Sequence, residues 1–190
     1  LSGRDGDSAN DGCGFWSGVR LQGSHGTLPT ETDVMKLKQI IDESFGDYKL
    51  CSMLLIADKC TWKCEGCQNK HLSQLPSQNF PDEEILERFH NNPLTEAIVI
   101  GGLEPFEQLH ELVIFIGEAI KAELDVPIVI YTGFEIDDFD LYWSGFEPAA
   151  KTYKGPVIVK FGRYVANSES YFNEDLGVTL ISKNQYTYVF

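Results

Sequence analysis

Three cysteines, Cys60, Cys64 and Cys67, fall within eight residues in the spacing C-x3-C-x2-C. Thiolates are soft ligands, and three on one short loop can converge on a single metal centre. Two chemistries fit. A [4Fe–4S] cube usually takes four cysteines, so three leave one iron with an open coordination position for a substrate or cofactor. Alternatively His71, four residues after Cys67, completes a Cys3His set of the kind that holds structural zinc. A plain packing role is the weakest reading, because cysteines crowded on a loop build little core.

These thiols need a rigid element to hold them. The apolar run of residues 53–57 directly precedes them and predicts a buried strand over 51–57, with Cys51 a small core residue on it. The cysteines then lie on the loop leaving the strand's C-terminal end, the edge where open α/β sheets and barrels place their ligands.

Downstream, the pattern alternates. Proline and three acids at 81–84 open a helix, with Ile85, Leu86 and Phe89 as its apolar face and Asn91-Asn92-Pro93 as its stop. Residues 71–80 before it read as loop. A strand over 97–100 stops at Gly101-Gly102. A helix over about 106–124 follows, with Leu109, Leu112, Val113, Ile116 and Ile120 inward. A strand over 127–131 stops at Thr132-Gly133, a short helix covers 135–141, and strands follow at 157–161, 178–181 and 186–190. Strands alternating with helices imply βαβ units and a mainly parallel sheet. At 190 residues the chain is too short for a closed eight-unit barrel of typically about 250 residues, so an incomplete, open (β/α) barrel fits. The chain shows no internal repeat.

Residues 1–34 differ in character. They hold 7 of the 17 glycines and sustain no apolar period. Leu37, Ile40, Ile41 and Phe45 then follow helical spacing, and Gly46 is a natural stop, which predicts an amphipathic helix over 35–45. The expectation is two regions: a non-native or flexible extension over 1–34, with the native start at or near Met35, and one cluster-binding domain over 35–190.

The cysteine loop resembles the motif of radical S-adenosylmethionine (SAM) enzymes. Gly66 before the third cysteine and Asn69 two residues after it are similar to the activating enzyme of anaerobic (class III) ribonucleotide reductase, of the 4Fe-4S single cluster domain type. Gly101-Gly102-Leu103-Glu104-Pro105 resembles that family's Gly-Gly-Glu-Pro turn, with Leu103 as an extra residue. Tyr131-Thr132-Gly133-Phe134 resembles its Tyr-Thr-Gly-Tyr. Ser182-Lys183-Asn184-Gln185 resembles its Ser-Ser-Asn-Gln, without the flanking basic residues. Together these likenesses span about residues 50–190.

The resemblance implies a [4Fe–4S] cluster on Cys60, Cys64 and Cys67, with SAM chelating the open iron through its amino and carboxylate groups. One electron from the cluster would cleave SAM to methionine and a 5′-deoxyadenosyl radical. Gly101 and Gly102 would let backbone approach the methionyl end, and Glu104 would accept from its ammonium. Thr132 would line the same cleft, and Gly66 and Gln68, flanking Cys67, would touch SAM through their backbone. The implied partners are a glycyl-radical enzyme as protein substrate and a flavodoxin- or ferredoxin-type reductant. The small chain suits a protein substrate, because little of it is left to enclose a small molecule. The alternatives are a radical SAM enzyme acting on another peptide or a small molecule, and a non-enzymatic iron–sulfur or zinc module.

Other residues read more plainly. Trp62 packs the cluster loop. His90 and His110 have no metal-ligand spacing, and Asp137, Asp138 and Asp140 form a solvated face. The formal net charge of −14 argues against a nucleic-acid partner held through phosphates and fits a basic protein surface. No apolar run approaches the roughly 18 residues of a membrane span. Five cysteines, an odd number with three clustered, argue against a secreted disulfide framework. With no signal-peptide pattern, the expected compartment is a reducing, anaerobic cytoplasm.

Overall fold

The computed structural model describes residues 34–139 and 143–190. Cys13, Asp140 and nearly all of the segment expected to be an extension lie outside the described residues. In chain order the elements are β1 (Val34–Ser44), β2 (Ser52–Ala57), β3 (Gln78–Pro81), α1 (Asp82–His90), β4 (Ala97–Gly101), α2 (Leu109–Lys121), β5 (Ile128–Tyr131), α3 (Trp143–Thr152), β6 (Val157–Phe161), β7 (Tyr171–Asn173), β8 (Val178–Leu180) and β9 (Tyr186–Val189). Three short 3-10 helices lie at Gln68–Gln74, Pro105–Gln108 and Ile136–Phe139.

Seven strands form one sheet in the order β3-β1-β2-β4-β5-β6-β9. Its centre, β2-β4-β5-β6, is parallel, while β1, β3 and β9 run antiparallel to their neighbours. β3 and β9 are not paired with each other, so the described sheet is open. Apart from Ser52 on β2 and Lys160 on β6, the parallel strands are largely apolar, as suits strands covered on both faces. Met53, Leu55, Ile98, Ile100, Ile128, Ile130, Val157 and Val159 share one core with Ile85 and Phe89 of α1, Leu112, Phe115, Ile116 and Ala119 of α2, and Phe146 and Ala150 of α3. On the opposite face Val99, Val129 and Ile158 meet Tyr48, Leu176 and Leu180. Burying each large side chain contributes about 1.5–3 kcal/mol, so the helical layer fixes the sheet firmly. The second face is filled only in part.

The helix expected over 35–45 is instead strand β1, paired with both β2 and β3. Met35 and Leu37 alternate into the core as a strand requires. A register shift between Leu37 and Gln39 then makes Ile40 the next buried residue. One bulge in a two-residue period reproduces the 37, 40, 41 spacing of a helix. Residues 71–80, expected as loop, hold part of a 3-10 helix and most of β3. Cys51 is half-buried and sits one residue before β2, its carbonyl accepting from Glu96 N–H at 2.8 Å. Helix α3 was hidden by Gly145 and Pro148, both usually breakers, and β7, pairing with β8, by its shortness.

Candidate metal centre and cavity

Four chain segments leave the C-terminal ends of the parallel strands and meet at one cavity of about 1100 Å³. They are the cysteine loop after β2, the glycine turn after β4, Thr132-Gly133 after β5 and Gly162-Arg163-Tyr164 after β6. Cys60, Cys64 and Cys67 line it, as do Gly66, Gln68, Gly101, Gly102, Glu104 and Thr132, so residues scattered over 73 positions of sequence share one wall.

The three thiols are half-buried and free. Cys64 to Cys67 make a tight turn, with Cys67 N–H donating to the Cys64 carbonyl at 3.3 Å and Gly66 at φ +70°, a conformation glycine adopts without steric cost. Burial pushes the Cys60 thiol up to about 11, opposed by a backbone hydrogen bond from Trp62 and aided by Glu104, Glu107 and Cys64. Taking up a metal must therefore expel a firmly held proton, which makes loading pH-dependent. Among the described residues no three His, Cys, Asp or Glu side chains are gathered around one point as for a single ion. His71 is exposed, with Nδ1 2.9 Å from the Gln68 carbonyl. Cys51 stands at the far end of β2, about 20 Å away by strand rise, and cannot join the three. Three soft thiols on one loop beside an open cavity suit a cluster with one position left for another ligand.

Glu104 holds this edge together. It is 2% exposed, and all four of its oxygen lone-pair positions are engaged. Oε1 accepts from Phe106 N–H at 3.1 Å and from the Thr132 hydroxyl at 2.7 Å. Oε2 accepts from Trp62 Nε1 at 2.9 Å and from Gly133 N–H at 2.7 Å. Burial raises its pKa, and these four donors pull it back. Its backbone N–H donates to the Lys59 carbonyl at 2.9 Å, and Thr61 N–H donates to Glu107. The cysteine loop is thus strapped to the glycine turn and to the end of β5. Trp62 lies under the Arg163 guanidinium, 4.5 Å from its ring centroid, and edge-on to Phe134 at 4.9 Å. Past the thiols, Lys38 Nζ donates to the Leu75 carbonyl and to Ser77 Oγ, both at 2.9 Å, fastening the 3-10 helix to β1.

The glycine turn is a γ-turn. Leu103 N–H donates to the Gly101 carbonyl at 2.9 Å, with Gly102 at φ +75° between them. A Cβ on Gly102 would stand 3.1 Å from Ile56 Cγ2 and 3.2 Å from Leu72 Cδ1. Leu103, the extra residue in the motif, is buried and occupies the tight turn's exit.

Sequence reasoning missed Lys160 and Gln185, which also line the cavity. The signal for Lys160 was legible: a single charge inside the apolar run Val157-Ile158-Val159-Lys160-Phe161. Gln185 carried none beyond its place in the Ser182–Gln185 stretch.

A parallel-centred α/β sheet with three thiols at its ligand-bearing edge suits an iron–sulfur protein. A family model for the 4Fe-4S single cluster domain matches residues 49–173, well over half of the chain, and the protein belongs to that family. No curated protein and no solved structure matches it. Among the described residues no helix is long and apolar enough to cross a membrane.

Proposed function

We propose that this chain is a radical SAM enzyme, built as an open (β/α) barrel, that generates a glycyl radical on a partner enzyme in the manner of an anaerobic ribonucleotide reductase activase. One observation carries the reading: three cysteines, with no fourth within reach among the described residues, line the same cavity as a glycine γ-turn. Cys60, Cys64 and Cys67 would hold the [4Fe–4S] cluster, which when bound supplies the electron that cleaves SAM. The chain's own tasks are positional. Gly101 and Gly102 would offer backbone at close range, Thr132 lines the cavity, and Gly66 and Gln68, flanking Cys67, would bring backbone near the cluster. Glu104, with every lone-pair position already taken, fixes the cysteine loop against β4 and β5. The acidic surface suits a basic patch on the protein substrate. The donor would be a flavodoxin- or ferredoxin-type reductant in a reducing, anaerobic cytoplasm.

The test is anaerobic reconstitution with iron, sulfide, reductant and SAM, reading 5′-deoxyadenosine and, with a glycyl-radical reductase added, the radical's electron paramagnetic resonance doublet. 5′-Deoxyadenosine without the doublet would point to a different substrate, a second reading favoured by the size of the cavity. Iron uptake with neither product would leave an electron-transfer or structural cluster.

A further inference from the structure

Two buried polar groups in the cavity wall are not explained by the cluster loop. Lys160 on β6 is only 5% exposed. Its ammonium donates to the carbonyls of Thr132 at 3.0 Å and Gly162 at 2.9 Å. An ammonium has three N–H donors, so one makes no hydrogen bond, and the ammonium lies 5.6 Å from the centroid of the Tyr131 ring. Among the described residues no carboxylate forms an ion pair with it. Gln185, 7% exposed, donates from Nε2 to the same Gly162 carbonyl at 3.4 Å. Its Oε1 is buried with no hydrogen-bond partner.

A buried cation with only neutral acceptors, beside a buried carbonyl oxygen with no donor, costs folding free energy twice over. Both deficits are met by one kind of ligand, a carboxylate with an N–H next to it, once the Gln185 side chain turns its Oε1, now without accessible surface, toward the cavity. In a low-dielectric cavity the charge-assisted bond to the ammonium would be strong and short. The cavity of about 1100 Å³ is at the upper end of the roughly 300–1,000 Å³ range of small-molecule sites and is large enough for such a ligand.

We propose that Lys160 and Gln185 form a carboxylate-binding subsite, Lys160 pairing with the carboxylate and Gln185 Oε1 accepting the neighbouring N–H. The inference goes beyond the reading above and stands whether or not SAM is cleaved. The carboxylate can come from a small N-acyl amino acid or chain end, or from an acidic side chain of a protein segment.

The experiment uses anaerobically reconstituted protein labelled with ε-carbon-13 lysine, with the Lys160 resonance assigned by Lys160→Met. N-acetylglycinate represents a small acid or chain end, and N-acetyl-aspartate α-methylamide an acidic side chain in a protein. One of the two should shift the Lys160 resonance to saturation, and the tighter identifies the source. N-acetylglycinamide, which lacks the charge, should bind at least about tenfold more weakly. N-acetylsarcosinate, which lacks the N–H, should bind more weakly than N-acetylglycinate to the wild type but equally to Gln185→Leu. Gln185→Leu removes one long hydrogen bond and keeps the test available if Lys160→Met fails to fold. The proposal is overturned if neither acid moves the Lys160 resonance, or if the neutral amide binds as well as the acids. It also falls if SAM alone saturates the signal and excludes both acids.

Discussion

Replacing Glu104 tests whether this edge of the sheet is held as described. Glu104→Ala leaves the donors of Trp62, Phe106, Thr132 and Gly133 without their acceptor. Hydrogen bonds to a charged group contribute about 1.5–3 kcal/mol each, which sets a gross loss of roughly 6–12 kcal/mol. Against this, the variant no longer buries a carboxylate, whose desolvation costs several kcal/mol. The Thr132 hydroxyl can also rotate. The net expectation is a loss of about 3 kcal/mol, comparable to breaking other buried charged networks. In Glu104→Gln the amide oxygen serves two donors while its NH2 opposes the other two, so about 2 kcal/mol should be lost. Urea unfolding followed by far-ultraviolet circular dichroism reads the stability. Trp62 fluorescence shows whether the indole is released, against the background of the other two tryptophans. Both variants should keep cysteine-bound iron but broaden its paramagnetic spectrum, because the loop has lost its strap. A loss below about 1 kcal/mol for Glu104→Ala would refute the reasoning, since water would then be satisfying the four donors.

Cys60→Ala, Cys64→Ala and Cys67→Ala should each abolish the visible absorption of the reconstituted protein, whereas Cys51→Ala and Cys13→Ala should leave it; stoichiometric zinc after anaerobic purification would instead support the Cys3His set. Gly102→Val should lose at least about 1–2 kcal/mol from the left-handed backbone alone, with a further cost from contact with Ile56 and Leu72, and should weaken SAM binding at least about tenfold by equilibrium dialysis while iron content holds. Truncation to Val34 should leave the thermal midpoint unchanged, whereas Leu37→Ala should lower it through a loss of about 2–5 kcal/mol of stability, because Leu37 is fully buried on β1. Lys160 has its pKa lowered to about 8 by burial, with Glu104, Glu135 and Cys64 opposing. The folded protein then releases that proton before the unfolded chain does, so stability relative to Lys160→Met should rise between about pH 8 and pH 10, and a flat difference across that window would contradict the buried ammonium.

The cysteine loop, the glycine turn, Thr132 and the parallel strands were legible in the sequence because each has a local cause. Thiol spacing sets ligand reach, glycine permits the positive φ at Gly66 and Gly102, and short apolar runs can be buried only as central strands. The tertiary structure decided the rest. β1 is a strand because β2 and β3 stand on either side to receive its hydrogen bonds, and a bulge disguises its period. Glu104 is a clamp because Trp62, 42 positions away, and Gly133, 29 away, fold onto it from different loops. Lys160 and Gln185 acquire their common Gly162 acceptor only when β6 and the 182–185 turn meet. Spacing along the chain encodes what neighbouring residues can do together. Which distant polar groups share a buried wall, and which of them lack a partner, depends on how the sheet and its loops pack.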